Sequence, residues 1–188
     1  SIRFDAPLDM RMNQCSKRSA QTIVNQYDEI SLRRLFKEYG ELRNAAQLAR
    51  SIVEFRSEKT IETTFQLKKL LSRYLPKGKN NKAMAQIFQA IRIEVNNELE
   101  ALKSFLIDAM IILNPSGRLS VISYHSLEDR LVKRFIRNGM FEGEPQRDVF
   151  GNYEVPFKKV GKLIIPTKKE IEKNNRARSA KLRIAQKV

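Results

Sequence analysis

Histidine occurs once in this sequence, at position 125, inside the run Ser123-Tyr124-His125-Ser126. An imidazole titrates near neutral pH and can donate or accept a hydrogen bond. His125 can therefore touch a bound base or phosphate, or it can fix the turn in which it sits. Ser126 and Asp129 have the S-x-x-D spacing of a capping box, which makes Ser126 a helix cap rather than a catalyst. Glu128 and Asp129 then serve as hydrogen-bond acceptors or as first-turn acids that complement the helix dipole. A second polar group opens the chain: Asp5, Asp9 and Arg11. Asp9 and Arg11 can shape a pocket or form a structural pair. Cys15 is the only thiol, so neither an internal disulfide nor a thiolate cluster can form. No group of His, Cys and carboxylates has ligand spacing, and no metal is expected.

Cations outnumber anions, 36 Lys and Arg against 21 Asp and Glu, a formal charge of +15. Such an excess points to a polyanionic partner, because Lys and Arg displace counterions from phosphates. The imbalance is steepest at the end: residues 158–188 hold 11 Lys or Arg and 2 Glu, a net +9. Arg176, Arg178, Lys181 and Arg183 are candidate phosphate contacts there. Arg130 and Lys133 are further candidates, with a solvated face as their other reading. No apolar run approaches the ~20 residues of a membrane span, and no secretory signal is evident. No membrane partner is expected, and a cytoplasmic location fits. The chain opens on Ser1, which suggests a fragment.

These groups need elements to hold them. Residues 1–12 read as an extended segment around Pro7. Ser19 and Ser31 are expected to cap helices over SAQTIVNQY and SLRRLFKEY, the second stopped by Gly40. Residues 41–56 place Leu42, Ala45, Ala49, Ile52 and Val53 on one helical face. Thr63 or Thr64 opens another helix, ended by Pro76, and Lys77–Lys82 reads as a basic loop. A helical pattern spans 83–113, long enough to expect an interruption. Within it Gln89, Arg92 and Asn96 share a polar face, read as structural rather than as an RNA surface. Arg118–Ser123 is a strand, followed by a helix through about Asn138. Residues 139–161 read as a long loop, Lys162–Pro166 as a short strand, 168–174 as a helical turn and Lys181–Ala185 as a last strand. Alternation in that strand puts Lys181 and Arg183 on one face and Leu182 and Ile184 on a buried one. The order is several helices, then an incomplete α/β unit. Three strands are not easily buried on both faces, a second sign that part of the domain lies elsewhere.

Five blocks, in order, carry a family resemblance: DAPLDMRM (5–12), YGELRNAAQLARSIV (39–53), FQAIRIEVNNELEAL (88–102), GRLSVISYHSLEDRLVKRF (117–135) and NNRARSAKLRIA (174–185). They resemble the RsmH family, also called MraW, and the resemblance covers nearly the whole chain. It implies an α/β fold, the C-terminal part of a Rossmann-like AdoMet-dependent methyltransferase sheet with an all-helical inserted domain. Residues 1–12 would be a rim segment of the active site, 13–97 the helical insert and 98–188 the end of the catalytic domain. Arg118–Ser123 would be the fifth strand of the sheet and the last two strands its closing hairpin. The implied activity is methylation of the exocyclic amine of a cytosine in the decoding region of small-subunit ribosomal RNA, with S-adenosyl-L-methionine as donor.

That amine is a weak nucleophile because its lone pair is delocalised into the ring. A site must hold the base near the methyl group and accept a hydrogen bond from the amine. Ligands of open α/β sheets sit at the carboxyl ends of strands, which singles out Ser123 and His125. Asp9 joins them through the position of its segment in the family. The family's glycine-rich donor loop and acidic motif have no counterpart here, so the donor-binding segment is expected upstream of Ser1 and the chain alone is expected to be inactive. Asn175 stands where the family usually has proline. The expected partner is ribosomal RNA or the assembled small subunit, and a homodimer is compatible with the reading. The other readings are a non-catalytic, basic RNA-binding or ribosome-assembly module and a helical partner-binding protein.

Overall fold

The computed structural model describes residues 4–75, 78, 80–146, 148–150 and 153–188. They form two compact units, Ser1–Glu98 and Leu99–Val188. Each is built around its own apolar cluster.

The first unit is helical: α1 Ala20–Gln26, α2 Glu29–Glu38, α3 Ala45–Glu58, α4 Thr64–Ser72 and α5 Asn80–Asn96. Ser19 caps α1 and Thr63 caps α4, each with a reciprocal box to the third helical residue. The cap of α2 is Asp28, whose Oδ1 accepts from the Ser31 amide at 2.7 Å, so the expected cap at Ser31 is displaced by three residues. Asp caps as well as Ser, and this start also brings Glu29 into the positive first turn. Helix α5 begins at Asn80, so Asn80–Lys82 is helical rather than loop. Pro76, Lys77 and Lys79 lie outside the described residues. The helices meet on apolar stripes: Leu32 and Phe36 of α2, Leu48 and Ile52 of α3, Leu67 and Leu71 of α4, Ile87 and Ile91 of α5 are fully buried.

The opening segment packs on this unit. Leu8 is buried in its core, Pro7 bridges Thr63, and the Leu8 amide donates to the Glu62 carbonyl at 2.9 Å. The expected interruption of the long helix falls at Asn97, whose φ is +54°. Asn tolerates the left-handed region better than other residues with a Cβ. Helix α6, Glu98–Ile112, follows.

The second unit continues with β1 Arg118–Ser123, α7 Ser126–Asn138, β2 Phe157–Ile164, α8 Lys168–Lys173, a 3₁₀ turn Asn175–Ser179 and β3 Lys181–Lys187. The sheet order is β1-β3-β2, with both pairings antiparallel. Strand β2 starts at Phe157, five residues before the expected strand. Gly161, which reads as a breaker in sequence, sits at φ +66° where the register with β3 slips between Val160 and Ile164. A glycine takes that conformation without strain, and the strand runs through it as a bulge.

One face of the sheet packs on α7. Leu119 and Val121 of β1, Phe157 of β2 and Ala185 of β3 form its core with Val132, Phe135 and Ile136. Phe135 stacks on Phe141 at 4.9 Å between centroids. The phase of β3 is the opposite of the expected one. Lys181, Arg183 and Ala185 face α7, whereas Leu182 and Ile184 lie on the other face and are only half buried. Ile122, Leu182 and Ile164 stand in register across the three strands on that outer face. Among the described residues, no helix is long and apolar enough to cross a membrane.

Candidate functional site

Strand β1 ends at Ser123 and α7 starts at Ser126, so the turn between them presents Tyr124 and His125 at a strand's carboxyl end. His125, not Ser126, is the N-cap of α7. Its Nδ1 accepts from the Glu128 amide at 3.4 Å. The Glu128 carboxylate answers by accepting from the amides of Tyr124, at 2.8 Å, and His125, at 3.3 Å. The other ring nitrogen is Nε2. That Nε2 lies 3.3 Å from Glu128 Oε1 but is not aligned for a hydrogen bond with any described group. Burial alone would raise the Glu128 carboxyl. The contact with His125 and the Tyr124 amide outweigh it and hold the group below its ordinary value. Capping boxes are read from Ser or Thr, and this one escapes that rule because imidazole takes the hydroxyl's place.

Ser123 is buried, and its hydroxyl donates to the Lys181 carbonyl across the β1–β3 ladder at 3.4 Å. Tyr124, by contrast, is 56% exposed.

Asp129 is the charge centre of the second unit. Its Oδ1 accepts from Arg183 Nε at 2.7 Å, and its Oδ2 from Arg183 Nη2 at 3.2 Å and Lys181 Nζ at 3.0 Å. Burial pushes this carboxyl up, but the two cations prevail and it ends below the ordinary carboxylate range. Two of the four candidate phosphate contacts in the tail are thus clasped to α7. Arg176 and Arg178, on the 3₁₀ turn, are exposed, as are Arg130 and Lys133 on α7.

Asp9 and Arg11 form a fork in the first unit. Asp9 Oδ1 accepts from Arg11 Nε at 2.6 Å and its Oδ2 from Nη2 at 2.9 Å. Arg11 Nη1 also donates to the carbonyls of Gln14, at 3.0 Å, and Ser16, at 2.7 Å. The guanidinium pulls the Asp9 carboxyl down to about 2. Asn96 of α5 clamps the same turn: its Nδ2 donates to the Met10 carbonyl and its Oδ1 accepts from the Met12 amide, at 2.8 and 2.7 Å. Met10 is held at φ +61° between them. Of the polar face on α5, Asn96 holds this turn and Arg92 forms a fork with Glu98 at 2.8 and 3.0 Å. Asp5 accepts from the Phe65 amide at 3.1 Å, and that bond lowers its carboxyl.

The donor expected from the resemblance can be tested against the two strand-to-helix turns described. Tyr124–His125 follows β1 and Ile165–Thr167 follows β2, and neither contains glycine. A close-approach turn for a nucleoside-type donor needs one. Neither described strand-to-helix turn therefore offers the glycine turn expected of a donor site.

The chain resembles several named proteins along its whole length. It is 62% identical over 188 residues to a ribosomal RNA small subunit methyltransferase H of Flavobacterium johnsoniae, a match covering 100% of this chain and 62% of that protein. The protein of the same name from Christiangramia forsetii is also 62% identical, with the same coverage. That of Cytophaga hutchinsonii is 54% identical over 186 residues, 99% of this chain and 62% of its own length. This chain thus spans a little under two thirds of the relatives it matches. The model of the MraW methylase family matches residues 1–188, and the chain belongs to that family.

Proposed function

We propose that the full-length protein transfers a methyl group from S-adenosyl-L-methionine to the exocyclic N4 amine of a cytosine in the decoding region of small-subunit ribosomal RNA, in the cytoplasm. The observation that carries this reading is the 62% identity, across all 188 residues, to a ribosomal RNA small subunit methyltransferase H. The antiparallel order β1-β3-β2 is consistent with the closing end of a methyltransferase sheet, and residues 13–97 with a helical insert. In this reading the donor is held by the upstream part of the protein, and the 188 residues supply substrate binding and the frame of the site.

Asp9, Ser123 and His125 are the side chains considered for contact with the base. Asp9 and Ser123 spend polar atoms locally, on Arg11 and the Lys181 carbonyl, and His125 uses Nδ1 on the Glu128 amide, while its Nε2 has no hydrogen-bond partner among the described residues. In this reading each sets its local backbone, Asp9 the turn at residues 9–12 and Ser123 and His125 the strand end at 123–125. Arg176, Arg178, Arg130 and Lys133 are the cations whose exposure suits phosphate contact.

The test is nucleoside analysis of small-subunit RNA methylated by the full-length protein, using subunits from cells that lack the modification. N4-methylcytidine in the decoding region is expected, and it should depend on added donor. RNA binding without methyl transfer would leave a ribosome-assembly module as the function.

A further inference from the structure

A recess in the second unit lies away from the β1–α7 turn. It is a cleft of about 430 Å³ between α7 and the edge strand β2, closed behind by β3. Its cationic side chains include Lys133 and Arg137, one turn apart on α7, and Lys159 and Lys162 of β2. Among the described residues, not one acidic side chain lines it. Those four cations are exposed, and among the described residues none of them forms an ion pair. Asp129, on the same helix, is already committed to Lys181 and Arg183. Ile136 and Leu163 contribute an apolar wall.

Strand β2 lines the cleft with residues on both sides of the register slip at Gly161, Phe157, Lys158, Lys159 and Val160 before it and Lys162 and Leu163 after it. An apolar wall beside four cations that form no ion pair among the described residues suits a ligand that is anionic at its edge and apolar and flat at its centre. A nucleotide with its base out of the stack has that chemistry, and unpaired RNA is read in this way.

We infer that the α7–β2 cleft is a subsite for one unstacked nucleotide of single-stranded RNA, with Lys133, Arg137, Lys159 and Lys162 on the flanking phosphates and Leu163 against the base. This rests on the ribosomal RNA reading above and adds to it a contact remote from the β1–α7 turn.

The experiment measures binding of a short single-stranded RNA oligonucleotide to the full-length protein across a salt series, with inorganic polyphosphate and anionic phospholipid vesicles as comparison probes. The double variant Lys159→Ala/Lys162→Ala changes two exposed side chains. Its plot of log affinity against log salt should be shallower by about 1.4, at ~0.7 for each single-strand phosphate left without its lysine. Leu163→Ala should weaken RNA and leave polyphosphate unchanged, since polyphosphate has no base. Photocrosslinking of thiouridine-labelled RNA to the unmodified protein should give adducts on peptides of α7 or β2. Wild-type RNA binding with an unaltered slope in the double variant and crosslinks elsewhere would remove the subsite and leave the ribosomal RNA reading standing. An equal loss of RNA and polyphosphate in Leu163→Ala would remove the base contact. Loss of vesicle binding alone in the double variant would make the cleft a membrane contact. Absence of any RNA binding by the wild type would overturn the ribosomal RNA reading itself, and the cleft with it.

Discussion

His125, the residue that looks most reactive in the sequence, uses one ring nitrogen to cap α7. Its side chain is 9% exposed, and it joins Glu128 in closing the first turn of α7. Serine is a good N-cap, whereas alanine leaves the helix amide unsatisfied, at about 1 kcal/mol. In the full-length protein His125→Ser should melt close to the parent and methylate near the parental rate, while His125→Ala melts lower and loses activity only with its folded fraction. Turnover and melting measured together decide the matter: a fall of order 10²-fold in His125→Ser with normal melting, the size expected for a positioned polar group, would put the imidazole back on the base. The sequence draws attention to this turn because a lone histidine after a β-branched run is conspicuous. It could not assign the role, because the partner atoms that occupy a ring nitrogen are a matter of distances. The same holds for Asp9, whose carboxylate is occupied by an arginine only two residues away.

At the scale of elements, α7 and β3 are joined by the Asp129 clasp, which has a pH signature. The folded carboxyl lies below its ordinary value of 3.8 because two cations outweigh the effect of burial. Its contribution to stability is therefore complete above about pH 4 and is lost as pH falls through the lower folded value. Denaturant unfolding between pH 7 and pH 2 should show the second unit weakening at the acid end, with Asp129→Asn flattening that dependence. At pH 7, Asp129→Ala should destabilise by about 3 kcal/mol, since it strands the largely buried Arg183. Lys181→Ala, at a more exposed pair, should change stability by about 0–1 kcal/mol. An acid profile identical in Asp129→Asn and the parent would show that the clasp contributes nothing. The clasp also explains what was legible here. Alternation in β3 is plain in the sequence, but its phase is not, because Lys181 and Arg183 turn inward only to meet an aspartate more than fifty residues away. The helices of the first unit were readable because their apolar period is sustained and Ser19 and Thr63 mark two starts. Strand β2 was hidden by its lysines and by Gly161, whose bulge resembles a break.

At the scale of the whole molecule, the two units differ in how completely they bury their apolar surface. The helical unit closes around one core. The second covers one face of its sheet with α7 and leaves the other open: Ile122 is 56% and Ile164 50% exposed, in register on either side of Leu182. Helix α6 adds Ile111 and Ile112, 68% and 78% exposed. Exposure in register across adjacent strands, as at Ile122 and Ile164, is uncommon on soluble monomers and marks a surface that something covers. The matched relatives are longer than this chain, which spans 62% of the first of them. The donor-binding part proposed upstream would supply both the cover and the glycine turn that the described strand-to-helix turns lack. The two deficits should then be repaired together. The 188-residue chain is expected to bind a hydrophobic dye such as ANS and to give no heat with S-adenosyl-L-methionine in calorimetry. The full-length protein should bind the donor and lose most of the dye signal, and hydrogen exchange at Ile122, Leu182 and Ile164 should slow. Tight donor binding by the 188 residues would place the donor site within them. Undiminished dye binding by the full-length protein would mean that the open sheet face is covered by something other than the rest of its own chain.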